Sequence, residues 1–206
     1  CAAGSVWIEK ALPVKRAAQV FKGVMSALVI LTGIMLMPAV LAVLPVEKYI
    51  AYADALGIKP GTPENKEVSI LPQFYADMFG WEQKAKAVAA VYQNLGEEEK
   101  KKCALYAENY GRCGAIDYFG ERMGLPKSIG SHNNYWIWGP RNYTGEIVII
   151  LGGEYENYIK NFKEVKIAAT VDCMYCMSYE DDLNVYLCRG LKQSLQEIWP
   201  RVRHFE

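Results

Sequence analysis

Hydrophobic and polar positions divide this chain sharply. Residues 23–46, GVMSALVILTGIMLMPAVLAVLPV, contain no charged side chain. Two dozen apolar residues wound as a helix are enough to cross the roughly 30 Å hydrocarbon core of a bilayer. A helix that is apolar on every face belongs in lipid or in the middle of a large core, and this run is long and uniform for the core of one domain. The apolar centre of a signal peptide is shorter, about 7–15 residues, and lies nearer the first residue. The pattern therefore predicts a transmembrane helix over 23–46, kinked at Pro38 in the way membrane helices tolerate.

Beyond residue 46 the pattern becomes mixed. Residues 46–56 read as a short amphipathic helix, with Tyr49 and Tyr52 suited to an interfacial aromatic belt and Gly57 as its stop. IKPGTPENKE, at 58–67, is a turn-rich linker. The soluble domain then occupies 68–206. Pro72 suits the first turn of a helix. Phe74, Met78, Trp81, Ala85, Val88, Tyr92 and Leu95 recur at steps of four and three, which predicts one continuous helix stopped by Gly96 at its C′ position. GEEEKKK suits a short exposed helix or turn with its acids first. CALYA at 103–107, then ENYG, then GAIDYFGERMG at 114–124 make a strand–turn–helix unit. EIVIIL at 146–151 is a strand buried on both faces and ended by Gly152-Gly153. A helix follows at 154–162, strands at 165–171 and 184–188, and a last helix at 191–199 stopped by Pro200. Strands alternating with helices give the predicted fold class: α/β, one N-terminal transmembrane helix followed by a soluble α/β sandwich domain with a largely parallel or mixed sheet.

Charge narrows the functions. The 206 residues carry 23 Lys and Arg against 23 Asp and Glu, and a net charge of zero excludes the basic excess of a nucleic-acid binder. Lys10, Lys15, Arg16 and Lys22 precede the span, whereas Glu47 and Lys48 after it cancel. The basic flank, residues 1–22, stays cytoplasmic, so residues after about 46 face the periplasm, a lumen or the exterior. The first residue is Cys1, not Met. A lipid-modified cysteine would be a second anchor beside the span, and the expectation is the C-terminal part of a longer chain.

Three groups of residues could carry chemistry. Cys173-Met174-Tyr175-Cys176 is a C-x-x-C, open to reading as a redox dithiol, as part of a zinc site or as a structural disulfide in an oxidising compartment. Zinc would need two further ligands, and Cys188 and His204 are the nearest downstream. Cys103, Cys113, Cys173, Cys176 and Cys188 are all disulfide candidates, and Cys173 pairs with Cys188 as readily as with Cys176. The segment 131–141, SHNNYWIWGPR, concentrates His132, Asn133, Asn134, Tyr135, Trp136, Trp138 and Arg141. Amides donate and accept hydrogen bonds, and indole faces stack on sugars and cations, so it reads as a ligand- or acceptor-binding loop or as an aromatic plug. Glu108-Asn109-Tyr110-Gly111 stands where a strand hands over to a helix, the edge at which open α/β sheets gather ligands, with Asn109 and Tyr110 as the binding candidates. Asp117 and Glu121 read as an exposed helix face, Glu180, Asp181 and Asp182 as a solvated acidic turn. Asn142-Tyr143-Thr144 matches an N-glycosylation sequon.

Four longer strings belong together: LPQFYADMFGW at 71–81, AENYGRCGAIDYFG at 107–120, GLPKSIGSHNNYWIWGP at 124–140 and CMYCMSYEDDLNVYLCRGL at 173–191. They resemble the C-terminal extracytoplasmic region of bacterial glycosyltransferase family 39-like proteins, relatives of the dolichyl-phosphate-mannose–protein mannosyltransferases and the lipid A aminoarabinose transferases. The resemblance covers the span and essentially all of the soluble domain. It implies a polytopic inner-membrane protein that moves a sugar from a polyprenyl-phosphate carrier to an extracytoplasmic acceptor, with inversion and metal assistance. The family's catalytic acids lie in its first outward loop, so none of the acids here inherits that role, and a divalent metal belongs to the intact parent. The implied partners are the bilayer, the lipid-linked sugar donor and an upstream transmembrane part of the same chain. Two alternatives stand beside it: a membrane-tethered glycan- or protein-binding module without catalysis, and a thiol oxidoreductase acting through Cys173 and Cys176.

Overall fold

A computed structural model describes residues 15–61 and 69–205, together with Gly4, Val6, Trp7 and Lys10. Most of the linker expected at 58–67 and the first part of the flank expected at 1–22 lie outside the described residues. The chain divides into two compact units, Cys1–Lys59 and Pro60–Glu206.

In the first unit, helix α1 runs Lys15–Val40 and helix α2 runs Val46–Ala55. The stretch long and apolar enough to cross a membrane is Arg16–Val40, 25 residues, or about 37 Å at 1.5 Å per residue. Almost all of its large apolar side chains are exposed, so it is not a core helix. Relative to the expected 23–46, the helix starts earlier and stops six residues sooner. Lys and Arg are good helix formers, so the basic flank continues the helix. At the other end Pro38 supplies no N–H, and Pro45 pushes Leu44 out of helical geometry. Tyr49 is buried, not placed in a belt: its hydroxyl donates to the Ala39 carbonyl at 3.3 Å, one of the groups a helix end leaves orphaned. The Tyr52 hydroxyl donates to the Met35 carbonyl.

The second unit holds, in order, α3 (Gln73–Ala76), α4 (Trp81–Gln93), α5 (Glu97–Lys102), β1 (Cys103–Ala107), α6 (Tyr110–Phe119), β2 (Ile129–Gly130), α7 (Asn134–Trp138), β3 (Ile147–Leu151), α8 (Tyr155–Asn161), β4 (Phe162–Val171), β5 (Leu183–Leu191) and α9 (Leu195–Ile198). The sheet order is β2-β1-β3-β5-β4. β1 pairs in parallel with β2 and β3, while β5 is antiparallel to both β3 and β4. The protein is therefore a long N-terminal apolar helix followed by an α/β domain with a mixed sheet of five strands, the class its hydrophobic pattern implies.

Side chains alternate across the sheet, and both faces are buried along β1 and β3 and over most of β5, whereas the edge strand β4 is largely exposed. Cys103, Leu105, Ala107, Ile149, Leu151 and Val185 meet Val88 and Val91 of α4 and Cys113 and Ile116 of α6. Ala104, Val148, Ile150 and Tyr186 meet Tyr158 of α8, Leu195 of α9 and Trp199. The first face has helices of 13 and 10 residues against it, the second only helices of 7 and 4.

Two local expectations are corrected. The continuous helix from Pro72 to Leu95 is broken at Gly80, whose φ of +83° caps α4 from the left-handed region. A Cβ there would run into Cys176 Sγ and stand 2.8 Å from Cys173 Sγ, so the break is where another part of the chain crosses. Phe74 and Met78 consequently lie exposed, off the face that buries Ala85 and Val88. Gly96 does not close α4; with φ −65° it opens α5, and Glu99 returns to accept from its N–H at 3.3 Å.

Cys173 and Cys176 form a disulfide. The apolar helix, as span or as signal, and this bond together suggest a membrane or secreted location.

Candidate functional site

The chain leaves β1 into α6, which packs on one face of the sheet, and leaves β3 into α8, which packs on the other. Adjacent parallel strands whose connections part in this way open a crevice at their carboxyl ends. Glu108 and Asn109 follow β1, and Gly152-Gly153 follow β3. Asn109 caps α6, its Oδ1 accepting from Gly111 N at 2.6 Å.

The glycine pair sets how closely the crevice closes. Gly152 and Gly153 hold φ of +80° and +78°, a Cβ on Gly152 would strike Arg112 Nη1, and one on Gly153 would strike the Tyr158 hydroxyl and stand 2.9 Å from Glu108 Oε1. Tyr158 donates to the Gly152 carbonyl at 3.0 Å and lies 3.2 Å from Glu108 Oε1. Burial, then the Glu108 charge, raises the Tyr158 pKa, so this hydroxyl keeps its proton.

A second wall comes from β2 and the C-terminal segment. His204 N donates to Ser131 O at 2.9 Å, and Asn133 N donates to His204 O at 3.0 Å, which joins residue 204 to the end of β2 as a short parallel bridge. The His132 and His204 rings stack with centroids 4.9 Å apart and planes 17° from parallel. Tyr110 meets His132 edge-on at 4.9 Å. Together Glu108, Asn109, Arg112, His132, His204 and Glu180 bound a polar pocket of about 170 Å³.

No family model, curated protein or solved structure matches this chain. The site must be read from its own atoms.

Beneath the pocket lies an ion cluster. Arg112 Nε sits 3.1 Å from both Glu180 oxygens, Arg112 Nη2 sits 3.0 Å from Oε1, and Lys84 Nζ sits 2.9 Å from Oε2. Arg112 Nη2 also donates to Tyr179 O at 3.2 Å. Lys84 is fully buried, and its ammonium stands 4.4 Å from the centre of the Trp81 ring. Burial lowers the Lys84 pKa and the Glu180 charge opposes that shift. Glu180 is thus no solvated turn residue; it is 5 % exposed and holds two cations. The disulfide lies just ahead of it, with Cys173 N donating to Asp181 Oδ1 at 2.6 Å.

The cysteine pairing left open by sequence is Cys173 with Cys176. Cys103, Cys113 and Cys188 are free thiols in the core, each with its pKa pushed up to about 12 by burial. None offers a thiolate. Cys173 and Cys176 are themselves buried, whereas a thiol oxidoreductase needs an exposed sulfur to attack. Among the described residues no three His, Cys, Asp or Glu side chains converge to hold a metal ion; the residues present do not fit the zinc reading.

The segment 131–141 is no single loop. It forms the bridge at His132 and then α7, and the helix spreads its side chains in different directions. Asn109 and His132 come together at the pocket, and Tyr110 packs edge-on against His132. Asn133 takes φ of +51° beside it, and Asn134 opens α7 on the surface. Tyr135 turns away and donates to Asp117 Oδ2 at 3.1 Å. Asp117 also accepts from Ser128 N at 2.6 Å, so it ties two segments together where an exposed helix face was expected. Trp136 Nε1 donates to Trp199 O at 2.8 Å and Trp199 Nε1 donates to Trp136 O at 2.9 Å. That exchange makes Trp136 the plug of the alternative reading. Trp138 and Arg141 are exposed and outside the pocket.

Sequence reasoning missed Arg112, Tyr158, His204 and Glu180 as site neighbours. The Gly-Gly pair after an apolar strand was the available signal that something packs close to that strand's end. Nothing local marks Glu180, whose partner Arg112 lies 68 residues away. The pocket offers two carboxylates, a guanidinium, two imidazoles and an amide, with Tyr110 edge-on to His132 beside it and no activated nucleophile. Such a set can exchange hydrogen bonds with hydroxyls and stack on a ring.

Proposed function

We propose that this chain is the last span and extracytoplasmic α/β domain of a membrane glycosyltransferase. The enzyme takes a sugar from a polyprenyl-phosphate carrier and passes it to an acceptor on the periplasmic side of a bacterial inner membrane. Residues after about 46 face that side, and the domain binds the acceptor. The catalytic acids, and any divalent metal, belong to an upstream transmembrane part. The observation that carries this reading is the convergence of Glu108, Asn109, His132 and His204 around one pocket at the carboxyl edge of the parallel strands, with Tyr110 edge-on to His132, a set suited to hydroxyl-rich rings. The four strings that resemble family 39-like transferases add support, as do the apolar helix, the flanking charge and the disulfide.

The test uses the full-length parent, assayed for transfer from polyprenyl-phosphate sugars. His132→Ala and Glu108→Gln each remove one or two hydrogen bonds to ligand, so the acceptor KM rises roughly tenfold while the donor KM stays within twofold. Unchanged acceptor kinetics in both variants, with thermal unfolding intact, would remove the pocket from the mechanism. An inactive parent whose domain still binds glycan at the same residues would favour the binding module.

A further inference from the structure

Glu108 borders two spaces. On one side is the polar pocket; on the other is a cavity of about 200 Å³ with a mostly apolar lining. This second space has a structural cause. The sheet face carrying Ile129, Val148 and Ile150 is covered by short elements, α8, α9 and the segment from Trp199 to Val202, with Trp136 and Tyr143 beside them, and these leave a gap that Ile198 and Val202 line. At about 30 Å³ for a group the size of a water molecule, the gap has room for roughly seven such groups, a heptyl chain, or an octyl chain whose first carbon stands in the open mouth. Its polar lining comes from Glu108, Asn157, Tyr158 and Asn161, with the Tyr158 hydroxyl 3.2 Å from Glu108 Oε1.

The geometry points to a single two-part site for an amphiphile: a hydrocarbon chain of about seven or eight carbons lies in the cavity, and its uncharged or cationic head meets Glu108 at the mouth. The carboxylate chooses the head. Glu108 is exposed, and a phosphate placed beside it would be repelled, whereas a hydroxyl donates to it and an ammonium pairs with it. The chain-binding half is the apolar space of ordinary small-molecule sites, with a few polar groups fixing orientation. The site shares Glu108 with the proposed acceptor pocket, but amphiphile binding needs no sugar transfer, so loss of transfer with amphiphile binding intact would remove the function and leave the site.

The full chain in lipid nanodiscs is titrated calorimetrically with alkyl β-glucosides of one to twelve carbons, all below their micelle concentrations. Ile198→Trp, which places an indole in the cavity, is run beside it so that uptake by lipid cancels; Val202→Trp replaces it if Ile198→Trp lowers the unfolding midpoint. The expected difference between wild type and filled variant is an affinity gain of about fourfold per methylene that flattens beyond octyl. Equal binding in wild type and both filled variants overturns the proposal, as does a gain that continues through dodecyl. In a second series, octyl phosphate binds at least tenfold more weakly than octyl glucoside or octylammonium, and Glu108→Gln narrows that gap. Octyl phosphate as the tightest ligand would overturn the assignment of the head.

Discussion

Replacing Glu180 by Gln is the sharpest probe of how the pocket is supported. The carboxylate holds Lys84 at 2.9 Å and Arg112 at 3.0–3.1 Å, with Lys84 fully buried and Arg112 9 % exposed. Removing one partner of a buried ion pair costs about 3–5 kcal/mol, because the remaining charge stays desolvated. The Gln oxygen keeps one acceptor, Tyr179 O still receives Arg112 and the Trp81 face still attracts Lys84, which argues for the lower end, about 3 kcal/mol. For a chain of this size each kcal/mol moves the midpoint by about 2–4 °C, so Glu180→Gln should unfold about 6–12 °C below wild type. Thermal unfolding of the full chain at pH 7, followed by circular dichroism, reads this directly. The loss should persist in 0.5 M salt, because buried pairs are weakly screened. Substituting all three residues with apolar ones of similar size should restore much of the midpoint. Burial lowers the Lys84 pKa, so between its folded value and about 10.5 the unfolded chain binds more protons. Wild type should therefore gain stability relative to Lys84→Met as pH rises through that window. A Glu180→Gln midpoint within 2 °C of wild type would refute the cluster as the floor of the site.

Three further outcomes follow from the same packing. Gly153→Ala forces a left-handed φ on alanine and drives its Cβ against Tyr158 and Glu108, so it should cost about 1–3 kcal/mol and weaken the proposed acceptor binding more than Gly139→Ala, where nothing stands within 4 Å. Trp136→Ala should lower the midpoint by several degrees because Trp136 is held by Trp199, whereas Trp138→Ala, 59 % exposed, should leave it within the scatter; equal effects would undo the distinction between plug and surface ring. The thiols at 103, 113 and 188 titrate near 12 when folded and about 9 when free, so the unfolded chain loses those protons first and stability falls between pH 9 and 12. A triple Cys→Ala variant should show a shallower alkaline decline, read from urea midpoints across that range; an unchanged slope would contradict the burial of the three thiols.

What the sequence disclosed and what it withheld divide along one physical line. Strands β1 and β3 were legible because CALYA and EIVIIL are short apolar runs closed by turn residues, and α5 because GEEEKKK places its acids before its bases. The Gly80 break was not, since the step of four and three runs unbroken from Phe74 to Leu95. The reason for that break is a disulfide almost a hundred residues further on. Glu180 looks like one member of an acidic surface turn until Lys84 and Arg112 are brought to it from two helices, and Trp136 looks like a ligand platform until Trp199 returns its hydrogen bond. Periodicity reports which face of an element is apolar; it carries no record of which distant group will meet a polar atom. The polar pocket was half visible for that reason. Asn109, Tyr110 and His132 stand beside strand ends that the pattern locates, while His204, Arg112 and Tyr158 reach the site through tertiary pairing. Glu108 joins the two kinds of information: it follows a strand readable from sequence, and only the folded sheet shows that an apolar cavity lies on its far side. If the octyl plateau appears and Glu108→Gln alters head choice without shifting it, chain length is set by the short helices over the sheet and head chemistry by the residue after β1.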